Sequence, residues 1–195
     1  EKQCEGHCVL GKKGRPVRVG KLESFIAQFD ADMHLTHERL PEKTRGKVAV
    51  IGSGPAGLTV AGDLARQGFH VTIFEGQQEL GGVLMYGIPE YRLPKAVVRN
   101  EIKKIEALGV NFVTNCLVGS PESGVTVDSL FADGFDAIFM GTGTALPQNL
   151  NVPGSDLRRV TQSTDFLHNV NAYIEGVLPR EMVPLREGDR VAVIG

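Results

Sequence analysis

The chain has 195 residues and a formal net charge of −2, which offers nucleic acid or an anionic membrane no electrostatic footing. Hydrophobic residues make up 42% and charged residues 23%, the proportions of a globular protein that buries a core, and no apolar run approaches the roughly 20 residues of a membrane-crossing helix. Residues 1–11 are polar and lack the apolar centre of a signal peptide, so a cytoplasmic protein is expected. Residues 1–19 are irregular, with a turn at Lys12-Lys13-Gly14-Arg15-Pro16 whose basic groups are read as solvated rather than as a phosphate grip. Leu22, Phe25, Ile26 and Phe29 recur at helical spacing, predicting an amphipathic helix over 21–33. Residues 34–46 are polar, contain Pro41 and read as a linker; His34 and His37 have the spacing of two ligands on a helix, but no third ligand is nearby.

The character changes at Val48-Ala49-Val50-Ile51, a continuous apolar run suited to a strand buried on both faces of a parallel sheet. A glycine-rich turn follows, then a helix over 56–67 with Leu58, Ala61, Leu64 and Ala65 on one face, then Gly68 and a second strand, Val71-Thr72-Ile73-Phe74. Strand, helix, strand is the parallel crossover unit. A helix over 95–108, a strand over 111–118, an apolar strand over 137–140 and a helix over 163–175 are predicted downstream. The segment Lys47-Val-Ala-Val-Ile-Gly52 returns as Arg190-Val-Ala-Val-Ile-Gly195, changed only in its leading basic residue. A doubly apolar strand needs cover on both faces, so the second copy is expected to open a further nucleotide-binding domain, the chain being a piece of a longer polypeptide.

The turn Gly52-Ser53-Gly54-Pro55-Ala56-Gly57 assigns each glycine its own work. Gly52 allows the tight exit from the strand, Gly54 lets the backbone approach a pyrophosphate, and Gly57 lets the helix pack close to the sheet. The pyrophosphate would sit on free N–H groups at the positive end of the helix dipole. Glu75 lies 18 residues after Gly57, at the end of the second strand, placed to accept hydrogen bonds from ribose hydroxyls. It would repel a 2′-phosphate, so FAD or NAD is favoured over NADP, the choice between the first two being open on pattern alone. Together these features predict a Rossmann-like α/β domain with a parallel sheet. Gly81-Gly82-Val83-Leu84-Met85-Tyr86-Gly87-Ile88-Pro89 follows where a large cofactor would extend, and its glycines suit close approach of backbone to a flat ring; a surface loop is the alternative. Gly141-Thr142-Gly143 follows the apolar strand, at the edge where open α/β sheets bind ligands.

Cysteine usage is sparse. Cys4 and Cys8 are close, Cys116 is remote, and three is a poor number for a disulfide framework. Cys4, His7 and Cys8 read either as an incidental surface group or as a partial zinc site. Cys116, in a predicted strand, reads as an inert core residue.

The set Cys4-Glu-Gly-His-Cys8-Val-Leu-Gly, Val19-Gly-Lys-Leu-Glu23, the Gly52–Glu75 unit, Gly81-Gly-Val-Leu-Met-Tyr-Gly-Ile-Pro89 with Arg92-Leu-Pro94, and Gly141-Thr-Gly143 spans essentially the whole chain. It resembles the small (beta) subunit of NADPH-dependent glutamate synthase and its relatives: the flavin and iron–sulfur region of dihydropyrimidine dehydrogenase, and ferredoxin-linked NADPH transhydrogenases. The resemblance implies that the first unit holds FAD, with Gly52, Ser53, Gly54, Pro55, Ala56 and Gly57 around the pyrophosphate and Glu75 on the ribose. It places Gly82, Val83, Leu84 and Arg92 beside the flavin, and Val118, Gly141, Thr142 and Gly143 along the adenosine and pyrophosphate.

Family members precede this domain with a helical one carrying two [4Fe–4S] clusters, which makes Cys4, Cys8 and Glu23 candidate metal ligands. Clusters usually need four thiolates, so these three residues are not expected to hold an intact one. The implied organisation is the end of an iron–sulfur domain over 1–40, an incomplete FAD domain over 41–155, a connecting segment with a helix over 156–189, and the first strand of an NADPH domain over 190–195. The implied chemistry is hydride transfer from NADPH to FAD, then single electrons to iron–sulfur centres and a partner, either a large catalytic subunit or another acceptor. No side chain stands out as a catalytic acid or base. Two rival readings are a non-enzymatic nucleotide-sensing module and an interaction fragment whose cysteines hold zinc.

Overall fold

The computed structural model describes residues 3–33, 35, 40–144, 146–148 and 151–194. His34 and His37 lie outside the described residues. The chain divides into two units, Glu1–Arg39 and Leu40–Gly195.

The first unit holds a short helix α1 (Gln3–Gly6), a 3-10 turn (Val9–Lys12) and helix α2 (Val19–Met33), none of which buries a residue. The helix starts two residues ahead of its expected position, and its apolar face, with Leu22, Phe25, Ile26 and Phe29, is exposed. Phe25 and Phe29 stack on each other one turn apart, ring centroids 6.0 Å apart. A segment this short cannot close a core on its own.

The second unit runs β1 (Lys47–Ile51), α3 (Pro55–Arg66), β2 (His70–Phe74), α4 (Val83–Tyr86), α5 (Lys95–Ala107), β3 (Asn111–Val113), α6 (Val127–Ala132), β4 (Ala137–Met140) and α7 (Ser163–Ile174). Its four strands form one sheet in the order β3-β2-β1-β4, every pair parallel. This is the α/β architecture the apolar runs predict. Strand alternation splits the core in two. Val48, Val50, Val71 and Ile73 pack on one face with α3, α5, Met85 and Tyr86, while Ala49, Ile51 and Phe74 pack on the other with Cys116 and Leu130 of α6. β1, buried along Val48–Ile51, is therefore covered on both sides. Cys116 is a core residue as expected, burial pushing its thiol above the ordinary value.

One expectation fails. The third strand ends at Val113 rather than 118: Asn115 takes a positive φ of 53° and breaks the extended run. Glu75 still receives the N–H of Cys116 on its carbonyl at 2.8 Å, so residues 114–118 pass over the end of β2 as a loop and Val118 sits in that loop. Residues 190–194 form no strand; with no neighbouring ladder to pair with, Val191, Val193 and Ile194 are exposed. Among the described residues no helix is long and apolar enough to cross a membrane.

Candidate dinucleotide site

Three glycine segments that are far apart in sequence meet at the C-terminal edge of the sheet. Gly52 leaves β1 with φ +97°, and a Cβ there would lie 2.5 Å from the carbonyl oxygen of Gly141. Gly57, in the first turn of α3, would place a Cβ 2.0 Å from the carbonyl oxygen of Gly52. At Gly82, which has φ +53°, a Cβ would meet the Cα of Gly54 at 2.9 Å. Gly54 is the exception: a Cβ on it meets nothing within 4 Å. No neighbour in the fold demands a glycine there, and the backbone at the start of α3 is left open.

The chemistry of the corner suits an anion. Pro55 is the first residue of α3, and no side chain caps the helix. The N–H groups of Ala56 and Gly57 in the first turn have no intrahelical acceptor, and the positive end of the dipole adds to them. Glu75 is brought directly to this turn. Its Oε2 accepts the Ser53 N–H at 2.9 Å and the Ser53 hydroxyl at 2.5 Å, and its Oε1 accepts the Gln77 N–H at 2.9 Å. Each carboxylate oxygen has two lone-pair sites, so Oε1 keeps capacity for a hydroxyl. Ser53 is fully buried. Its hydroxyl also accepts the Gly81 N–H at 2.9 Å, so its side chain ties Glu75 to the second glycine segment instead of facing open space. The residues present fit a dinucleotide.

Around this centre, Val83 is exposed and Leu84 half-buried on α4, Arg92 is exposed, and Thr142 and Gly143 are exposed beyond Gly141. Gly141 continues the β1–β4 ladder by donating its N–H to Ile51 at 2.8 Å.

Sequence reasoning missed the groups behind the Gly81–Gly87 loop. Lys95 is buried and its Nζ donates to the carbonyls of Leu84, at 2.8 Å, and Ile88. Burial pushes its ammonium below the ordinary lysine value, with Glu90 and Glu175 opposing. Asn171 of α7, also buried, donates Nδ2 to the Tyr86 carbonyl at 2.7 Å, and His168 stacks on the Tyr86 ring at 4.7 Å. The Tyr86 hydroxyl accepts the Glu79 N–H at 3.0 Å. The only available signal was a lysine directly after Leu93-Pro94.

The proposed metal ligands are not gathered. Cys4 is exposed on α1, Cys8 is half-buried beyond it, and Glu23 is exposed on α2. Among the described residues no group of three or more His, Cys, Asp or Glu is placed to hold a metal, and these residues do not fit a cluster. Cys8 does accept the Val17 N–H at 3.5 Å; that bond first, and Gly11 next, holds its thiol below the ordinary value.

The family model for pyridine nucleotide-disulphide oxidoreductases matches residues 46–195. The chain belongs to that family. It is 36% identical over 197 residues, 98% of its length, to the glutamate synthase [NADPH] small chain of Mycobacterium tuberculosis, covering 40% of that protein. It is 35% identical, over an alignment of 198 positions that spans all of this chain, to the putative oxidoreductase UacF of Escherichia coli, covering 30% of it. The resemblance to glutamate synthase small chains is thus borne out, and the chain spans only 30–40% of these relatives' lengths. Among solved structures it is similar to Mycobacterium tuberculosis FprA in complex with NADPH, at 25% identity and a TM-score of 0.56, over 68% of this chain and 30% of that one.

Proposed function

We propose that this chain is the FAD-binding part of an NADPH-dependent oxidoreductase of the glutamate synthase small-chain type. The observation that carries the reading is the meeting, at the Gly52–Gly57 turn, of an uncapped helix end and the buried carboxylate of Glu75, which is bound to Ser53, in a chain 36% identical to an NADPH glutamate synthase small chain. The N–H groups of Ala56 and Gly57 bind the pyrophosphate, which crosses Gly54 and Pro55. Glu75 accepts from the ribose, and Gly82, Val83, Leu84 and Arg92 flank the ring. Val118 and the Gly141–Gly143 segment border the rest. Bound FAD supplies hydride acceptance and one-electron delivery; the chain orients it and excludes water.

NADPH binds a separate site, which the repeat over 190–195 begins. Electrons leave to a large catalytic subunit or another acceptor, inside a cytoplasmic protein. Cys4, Cys8 and Glu23 take no part in this reading, and no step is routed through them. The test uses the full-length protein. Bound FAD bleached by NADPH, with electrons passed on to an artificial dye, is the expected result; a colourless protein that reduces no dye would falsify the reading in favour of a nucleotide-sensing module.

A further inference from the structure

The one-turn helix α4 is too short to stand by itself, and its last carbonyls have no partners inside the turn. Two buried side chains supply the missing donors. Asn171 takes the Tyr86 carbonyl with a neutral amide. Lys95, a residue only 2% exposed, takes the carbonyls of Leu84 and Ile88, to either side of it, with its ammonium. Lysine is seldom fully buried unless paired, taking a cation out of water is costly, and the carboxylates of Glu90 and Glu175 offset only part of that cost, since burial still pushes the ammonium below its ordinary value. Asn171 shows that a neutral donor suffices to satisfy a carbonyl here. Holding the loop in shape therefore does not by itself account for a charge at residue 95.

The loop supplies an account. Its opposite end, Gly82, lies against Gly54, and the Lys95 ammonium reaches the Gly82–Leu84 stretch directly at the Leu84 carbonyl, 2.8 Å away. We propose that Lys95 is a positioning residue for the flavin, its buried ammonium fixing the course of the Gly82–Ile88 backbone and standing as a positive charge behind the face the ring occupies. This rests on the reading that FAD lies against Gly82–Leu84. Two-electron reduction places negative charge on the ring, and a fixed cation in a poorly solvated position stabilises that form selectively. Removing the charge must therefore lower the flavin midpoint potential, an effect that a purely structural role does not produce.

The experiment uses full-length holoprotein carrying Lys95→Met or Lys95→Gln, the second retaining a neutral donor. Potentials are read by equilibration with a reference dye, alongside the visible flavin spectrum and FAD affinity. The expected result is a more negative potential in both variants and about tenfold weaker FAD binding in Lys95→Met, with Lys95→Gln closer to wild type in affinity but not in potential. Unchanged potential and spectrum in FAD-loaded variants overturn the proposal, as does loss of the fold in both, which would make Lys95 a scaffold residue. A wild-type protein without flavin is a separate outcome, visible before any variant is made, and it removes the functional reading itself.

Discussion

At the scale of single residues, the centre of the site is a hydrogen-bonded chain that runs from Gly81 through the Ser53 hydroxyl to the Glu75 carboxylate. Sequence spacing placed Glu75 at the strand end, but gave no sign that Ser53 would be spent on holding it. Because Glu75 accepts from two backbone N–H groups and one hydroxyl, Glu75→Gln presents an amide N–H₂ to donors that have nowhere else to turn. Denaturation should show a loss of about 1–3 kcal/mol, and titration of the apoprotein with FAD at least about tenfold weaker binding. Tyr86 carries a pH signature. Burial raises its phenol above the ordinary value of 10.0. A group raised in the folded state contributes its full stability below the unfolded value and loses it as pH climbs through the folded one. Tyr86→Phe leaves the Glu79 N–H without its acceptor, so at neutral pH the variant should be less stable by about 1 kcal/mol. Chemical denaturation from pH 9 to 11 should then show the gap narrowing from pH 10 upward. A gap that stays constant would mean the phenol titrates alike in both states.

At the scale of elements, the glycines separate into those the fold requires and those it leaves open. Gly57→Ala drives a methyl into the Gly52 carbonyl oxygen, 2.0 Å from the ideal Cβ position, and should cost about 3 kcal/mol, since backbone on both sides must shift. Gly54 has extended backbone at φ −67° and ψ −179° and open space at its Cβ. Gly54→Ser, with a good N-cap residue, should leave stability within about 0.5 kcal/mol while FAD affinity falls at least about tenfold. Melting curves and flavin titration on the two variants separate packing from binding. An undiminished affinity in Gly54→Ser would mean that nothing approaches that backbone.

Most of this layer was legible in the sequence, because apolar runs and glycine turns are local signals. The strands β1, β2 and β4 and the helices α3, α5 and α7 stand within about two residues of their expected ends. What escaped was non-local. β3 ends early because Asn115 turns the chain over β2, and the support from Lys95 and Asn171 depends on contacts 11 and 85 residues distant in sequence.

At the scale of the whole molecule, the second unit is a parallel α/β domain of the pyridine nucleotide-disulphide oxidoreductase family, and relatives of the same type extend well beyond its span. The apolar residues at 191–194 and the apolar face of α2 are exposed. The proposed function turns on one corner of the sheet, and the most direct measurement is an experimental structure of the full-length protein with FAD. Pyrophosphate density is expected over Gly54 at the start of α3, with a ribose hydroxyl within hydrogen-bonding distance of the Glu75 carboxylate and the ring against Gly82–Leu84. Cofactor density elsewhere, with Glu75 still bound only to Ser53 and Gln77, would contradict the proposed function.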